Sequence, residues 1–128
     1  MNRVITYGTF DVFHYGHYSL LKRASLIGQL YVGVSTDQFN LIKGKQSILS
    51  FQTRCDIIRD LRFVHEVFGE ESWDQKINDI KKYNITHFVM GDDWKGKFDF
   101  LSQYCTVIYL PRTQFISSTL IRNCFNRA

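Results

Sequence analysis

The sequence predicts an α/β fold, a single open doubly wound domain built on a five-stranded parallel sheet, and three observations carry that prediction. Short runs rich in β-branched and aromatic residues alternate along the chain with stretches of helical periodicity. At 128 residues the chain is long enough for one core and too short for two ordinary domains, so residues 1–128 are read as one unit. It has no repeat, low-complexity tract or Pro/Gly-rich linker, and its one proline, Pro111, stands directly after the last apolar run, where it would end a strand ladder.

Taken in order, the strands are expected over residues 4–7, 30–35, 65–68, 87–90 and 107–110. Between the first two, Leu20, Leu21, Ala24 and Ile27 recur at helical spacing, and Gly28 follows as a stop. This helix begins near Gly16. A second helix is expected over 51–61, with Phe51, Cys55, Ile58 and Leu61 on one face and Ser50 as its cap. A third starts at Ser72, where Ser72 and Gln75 match a capping box and Trp73, Ile77 and Ile80 form the buried stripe. A last helix is expected over 118–125. In such sheets ligands bind beyond the carboxyl ends of the strands, where strand order reverses.

Composition narrows the function classes. An aromatic content of 16% argues for a packed core rather than disorder. No apolar stretch approaches spanning length and no signal-like segment precedes the first strand, so a cytoplasmic protein with no membrane partner is expected. Cys55, Cys105 and Cys124 lack metal or redox spacing and read as small buried hydrophobes. A net charge of +4 suits anionic ligands. With no basic run interleaved with aromatics, nucleic acid is not an expected partner.

The most informative segment is Gly8-Thr9-Phe10-Asp11-Val12-Phe13-His14-Tyr15-Gly16-His17, between the first strand and the first helix. A glycine at the strand end lets backbone approach a phosphate, and a helix N-terminus offers free N–H groups to an anion. His14 and His17 can donate to the same oxygens. Asp11 reads either as a turn former bonding nearby backbone N–H groups or as part of the chemistry. Ten positions of the form G-T-F-D-x-x-H-x-G-H resemble the signature of the cytidylyltransferase family, and in particular its glycerol-3-phosphate branch.

The resemblance extends to other segments. Lys43-Gly44-Lys45 lies where the family places two lysines, which implies that Lys43 faces the acceptor phosphate and Lys45 the triphosphate. Lys76 matches the lysine of a W-x-Q-K element that also reaches the acceptor. The stretch Gly91-Asp92-Asp93-Trp94-Lys95-Gly96-Lys97-Phe98-Asp99 is similar to the glycerol-3-phosphate branch. Its two carboxylates read locally as turn formers, as acceptors from a base amine, or as holders of a hydrated Mg²⁺. Arg112-Thr113-Gln114-Phe115-Ile116-Ser117-Ser118-Thr119 follows the last strand and resembles R-T-x-G-I-S-T-T, with Phe115 in place of glycine and Ser118 in place of threonine. Guanidinium and hydroxyl groups at a helix start suit β and γ phosphates. Arg62-Phe63-Val64-His65-Glu66-Val67 resembles R-Y-V-D-E-V, with His65 where aspartate is usual; Arg54 and Arg62 are candidate anion or base contacts.

The resemblance implies a Rossmann-like nucleotidyltransferase domain that joins CTP and sn-glycerol 3-phosphate to give CDP-glycerol and pyrophosphate, with Mg²⁺ as cofactor. It implies His14, His17 and Asp11 as catalytic residues and Lys43 and Lys76 as acceptor contacts. The nucleotide contacts it implies are Gly8, Thr9, Phe10, His14, Gly16, His17, Lys45, Arg62, Asp93, Arg112, Thr113, Ile116, Ser117, Ser118 and Thr119. It also implies a homodimer and a place in teichoic-acid or capsule precursor supply. The alternatives are a nucleotidyltransferase for another nucleotide or small phosphate, and a nucleotide-binding module without turnover.

Overall fold

Five parallel strands run in the order β3-β2-β1-β4-β5 through the centre of the molecule. The computed structural model describes residues 1–112. The chain runs β1 (Arg3–Gly8), α1 (Tyr15–Ser25), β2 (Gln29–Ser35), α2 (Asp37–Ile42), α3 (Phe51–Arg59), β3 (Val64–Glu70), α4 (Gln75–Lys82), β4 (His87–Gly91) and β5 (Thr106–Leu110), with short 3₁₀ turns at Asp92–Trp94 and Asp99–Gln103. It moves outward from β1 to β3, then returns to lay β4 on the other side of β1. That reversal is the switch point of a doubly wound sheet, and it puts the carboxyl end of β1 at the predicted ligand crevice.

Strand alternation divides the core between the two faces of the sheet. Val4, Leu30, Val32 and Val34 pack with Leu21 and Ala24 of α1 and Ile58 of α3, all fully buried. Ile5, Tyr7, Tyr31 and Phe88 point the other way and pack with Ile80 of α4 and Leu101 of the second 3₁₀ turn. Gly33 has a local reason, because a Cβ there would stand 2.5 Å from the Tyr7 ring. Cys55 is buried as expected and Cys105 half-buried.

Three features differ from expectation. Helix α2 is not signalled by periodicity, being only six residues long; Thr36 caps it by accepting the Phe39 N–H at 3.1 Å, and Phe39 is buried. Helix α4 starts at Gln75 rather than Ser72, with no side-chain cap. The Gln75 side chain instead accepts the Glu71 N–H at 2.6 Å and donates to the Gly69 carbonyl at 3.0 Å, tying β3 to α4. Trp73 therefore precedes the helix and is half exposed, not part of its buried stripe. The predicted helix over 118–125 and Thr113, Ile116, Ser117, Ser118 and Thr119 lie outside the described residues.

Candidate active site

The loop between β1 and α1 is held in an unusual conformation. Phe10 and Val12 both have positive φ, 54° and 47°, which non-glycine residues rarely adopt and β-branched ones least of all. Such residues persist only where surrounding contacts enforce them, and each costs roughly 1 to 3 kcal/mol. The turn sends the Phe10 ring back into the core, where a Cβ on Gly8 would meet it at 2.9 Å. Phe10, expected at the nucleotide, therefore supports the site from below: its ring meets the His17 ring edge-on with centroids 5.6 Å apart.

His14 is the N-cap of α1. Its Nδ1 accepts the Gly16 N–H at 2.9 Å, and His17 Nδ1 accepts the His14 N–H at 3.2 Å. The two rings stack with centroids 3.9 Å apart. An Nδ1 that accepts a backbone N–H carries no proton, so each neutral ring holds its proton on Nε2 and offers it as a donor. Burial lowers the pKa of both: His17 falls to about 4, with the His14 ring adding to the effect and Asp11 opposing it. His14 is lowered by burial and then by the Arg112 charge. At neutral pH both histidines are uncharged donors.

Asp11 and Arg54 fix the loop that faces them. The buried Asp11 carboxylate accepts the Ile48 and Leu49 N–H groups at 2.8 and 2.9 Å, binding the segment after Lys45 to the histidine loop. Arg54, a candidate anion or base contact, is fully buried. Its guanidinium donates to the carbonyls of Thr9, Ser35 and Leu49 at 2.9, 2.7 and 3.1 Å and to Asp37 at 2.7 Å. One fork of donors thus joins the ends of β1 and β2 to the lysine loop.

A cavity of about 790 Å³ opens at these strand ends. Gly8, Thr9, Asp11 and His17 form one side, and Lys43, Gly44 and Lys45 arch over it; Gly44 turns at φ 77° with open space where a Cβ would be. The opposite wall holds Glu70, Trp73, Lys76, Trp94 and Phe98. Lys43 donates to Ser35 Oγ at 2.8 Å and is half-buried, which lowers its pKa to about 8 against the opposing pull of Glu70. Lys76 is no surface lysine: it forms a sealed ion pair with Glu70 at 2.6 Å. Tyr7 lines the cavity and donates to Asp79 at 2.7 Å; burial, and then the Asp79 carboxylate, raise its pKa.

Sequence reasoning missed Glu70, Tyr7 and Asp79. Glu70 closes a β strand, a position where a charge ordinarily reads as solvated, and only the fold brings Lys76 to it. The structure does not bring Arg62 or His65 to the cavity. Arg62 is exposed in the turn before β3, at the amino end of the strands, and His65 of β3 pairs at 3.0 Å with Gln29 on the neighbouring β2. Asp93 and Arg112 are exposed and face each other at 3.6 Å, linking the loops after β4 and β5 at the rim. Among the described residues no three His, Cys, Asp or Glu side chains gather to hold a metal ion.

A family model described as Cytidylyltransferase-like matches residues 5–124. The chain belongs to the cytidylyltransferase-like family. This cytidylyltransferase-like chain is 58% identical over 123 residues to glycerol-3-phosphate cytidylyltransferase of Bacillus spizizenii (strain ATCC 23059 / NRRL B-14472 / W23), an alignment covering 95% of each. It is 50% identical over 123 residues to the enzyme of the same name from Staphylococcus aureus (strain NCTC 8325 / PS 47), covering 95% of this chain and 93% of that one. In fold it is similar to the lipopolysaccharide core biosynthesis protein from Thermoplasma volcanium GSS1, with TM-score 0.75 at 24% identity, covering 91% of this chain and 99% of that one. For a cytidylyltransferase-like protein the cavity supplies what transfer between phosphates needs, neutral donors on one side and ammonium groups on the other. Among the described residues no helix is long and apolar enough to cross a membrane.

Proposed function

We propose that this protein is a glycerol-3-phosphate cytidylyltransferase, transferring the cytidylyl group of CTP to sn-glycerol 3-phosphate with release of pyrophosphate. The observation that carries this reading is the juxtaposition, in one cavity, of the His17 face of the histidine pair with Lys43 and the Glu70–Lys76 wall. The relatives that are more than half identical over nearly the full chain bear the same activity in their names.

An oxygen of the acceptor phosphate attacks the α-phosphorus, the bond to the β-phosphate oxygen breaks in line, and pyrophosphate leaves with that electron pair. The acceptor oxygen is already ionised, so no general base is required. The barrier is one of charge and alignment, which positioned donors lower. His14 and His17 offer Nε2–H donors to the α-phosphate and the bridging oxygen. Lys43, in reach of solvent and of the cavity, holds the acceptor phosphate, while Lys45 on the exposed arch and Arg112 at the rim meet the triphosphate. Asp11 acts through the loop it anchors and is a positioning residue. Thr113, Ser117 and Thr119 remain proposed phosphate contacts on the family pattern.

Mg²⁺ belongs to the same proposal as an ion carried in on the triphosphate, where it would supply further neutralisation of charge. A homodimer acting in the cytoplasm, with neither membrane nor nucleic acid as partner, and a role in teichoic-acid or capsule precursor supply belong to the same proposal. Pyrophosphate release measured for four nucleoside triphosphates against a panel of polyol, sugar and aminoalcohol phosphates tests the reading. CTP with glycerol 3-phosphate is expected to be the fastest pair. A preference for ATP, or for another acceptor, would overturn it.

A further inference from the structure

Lys76 Nζ sits 2.6 Å from Glu70 Oε2, with the two side chains 4% and 3% exposed. Three aromatic rings surround the same ammonium, with centroids 4.8 Å away at Tyr7, 5.3 Å at Trp73 and 5.3 Å at Phe98. Aromatic faces enclosing a cation are the arrangement by which proteins recognise alkylammonium ligands, and the carboxylate completes it. Here the chain supplies the cation itself. The carboxylate is anchored independently of Lys76, since Glu70 Oε1 accepts the Ser35 hydroxyl at 3.3 Å and Ser35 Oγ in turn accepts from Lys43. Trp73 is shared between the two lysines, with its ring centroid 5.8 Å from Lys43 Nζ. The cage therefore adjoins the lysine proposed to hold the acceptor phosphate, inside one cavity.

We propose that Lys76 is a specificity-determining residue whose ammonium fills an alkylammonium cage and so rejects aminoalcohol phosphates in favour of uncharged polyol phosphates. The inference rests on the proposed cytidylyl transfer and names the acceptor class of that site. An acceptor carrying its own ammonium would meet a filled cage and a like charge, whereas hydroxyl groups meet hydrogen-bonding partners and no repulsion. Cutting Lys76 back to Cβ leaves a buried carboxylate without its cation beside three open ring faces. A primary ammonium two carbons from a phosphate would supply both missing interactions.

The test compares the unsubstituted protein, Lys76→Ala, and the double variant Lys76→Ala/Glu70→Gln. Each is assayed for CDP-product formation from CTP with glycerol 3-phosphate and with ethanolamine phosphate, and for thermal shift with ethylammonium chloride against sodium chloride. Lys76→Ala should move the ratio of kcat/KM toward ethanolamine phosphate by roughly a hundredfold or more, the scale of replacing a buried charge partner. Ethylammonium should raise its Tm and leave the other two proteins unchanged. If Lys76→Ala folds only when refolded with ethylammonium, that recovery supports the cage in the same way. No response to ethylammonium and no gain on ethanolamine phosphate would overturn the proposal, as would no recovery of fold with either salt or an equal response from the double variant. Failure of the unsubstituted protein to make CDP-glycerol would defeat the functional reading instead, and leaves the thermal-shift arm to decide the cage by itself.

Discussion

The backbone N–H of His14 donates to Nδ1 of His17 at 3.2 Å, so one histidine of the motif caps the helix turn that the other begins. Helix capping and proton placement are thereby the same interaction. Conservative variants can separate them. Asn at position 14 retains a good N-cap, and Gln at position 17 retains the reciprocal bond of a capping box. His14→Asn and His17→Gln should each keep a near-normal melting profile and lower kcat roughly a hundredfold to a thousandfold, the usual cost of one lost transition-state donor. Near-normal kcat in either variant would reduce that histidine to a cap.

Protonation of His17 should be legible in stability. Its pKa in the folded protein is about 4 against 6.5 for a free histidine, so between those values the unfolded chain binds more protons than the folded one. Stability then rises with pH across that window and is lost as pH falls through it, by up to roughly 3 kcal/mol. Denaturant titrations between pH 4 and pH 7 should show this rise in the natural sequence and a much flatter profile in His17→Gln. Identical profiles would contradict the assignment.

Lys43 should set an alkaline limit on acceptor use. Burial lowers its pKa to about 8, and only its cationic form holds a phosphate, so kcat/KM for glycerol 3-phosphate is expected to fall as pH rises through that value. A guanidinium does not deprotonate in this range. Lys43→Arg should therefore lose the alkaline limb, whatever its effect on KM at neutral pH. An unchanged limb in that variant would assign the titration to another group.

Arg54 separates structural from ligand-binding charge. Replacing it by Met would leave the carbonyls of Thr9, Ser35 and Leu49 without its donors, and a fall in stability of about 3 kcal/mol or more is expected. Calorimetric unfolding measures this directly. A variant that melts normally but binds CTP weakly would restore Arg54 to the ligand.

These residues show what the sequence could and could not disclose. All five strands are legible because parallel strands buried on both faces form apolar runs, and the histidine loop is legible because its spacing is local. The boundary of α4 is not legible, because Ser72 and Gln75 satisfy a local cap pattern while the Gln75 side chain is used by Glu71 and by Gly69 of β3. Arg54, Phe10 and Glu70 depend on partners far along the chain or on a backbone turn that no local pattern announces. A buried arginine and an exposed one have the same letter. Phe115→Gly, followed by calorimetric titration with CTP, is expected to weaken binding, because an aromatic face can stack on a base where glycine cannot, and tighter binding by the glycine variant would contradict that reading.

Attack by the acceptor phosphate on the α-phosphorus is the central claim, and isotope placement tests it most directly. With CTP and sn-glycerol 3-phosphate carrying ¹⁸O in its phosphate oxygens, the expected products are CDP-glycerol whose bridging oxygen is labelled and pyrophosphate free of label, both read by ³¹P NMR and mass spectrometry. Label in the pyrophosphate, or no CDP-glycerol at all, would contradict it.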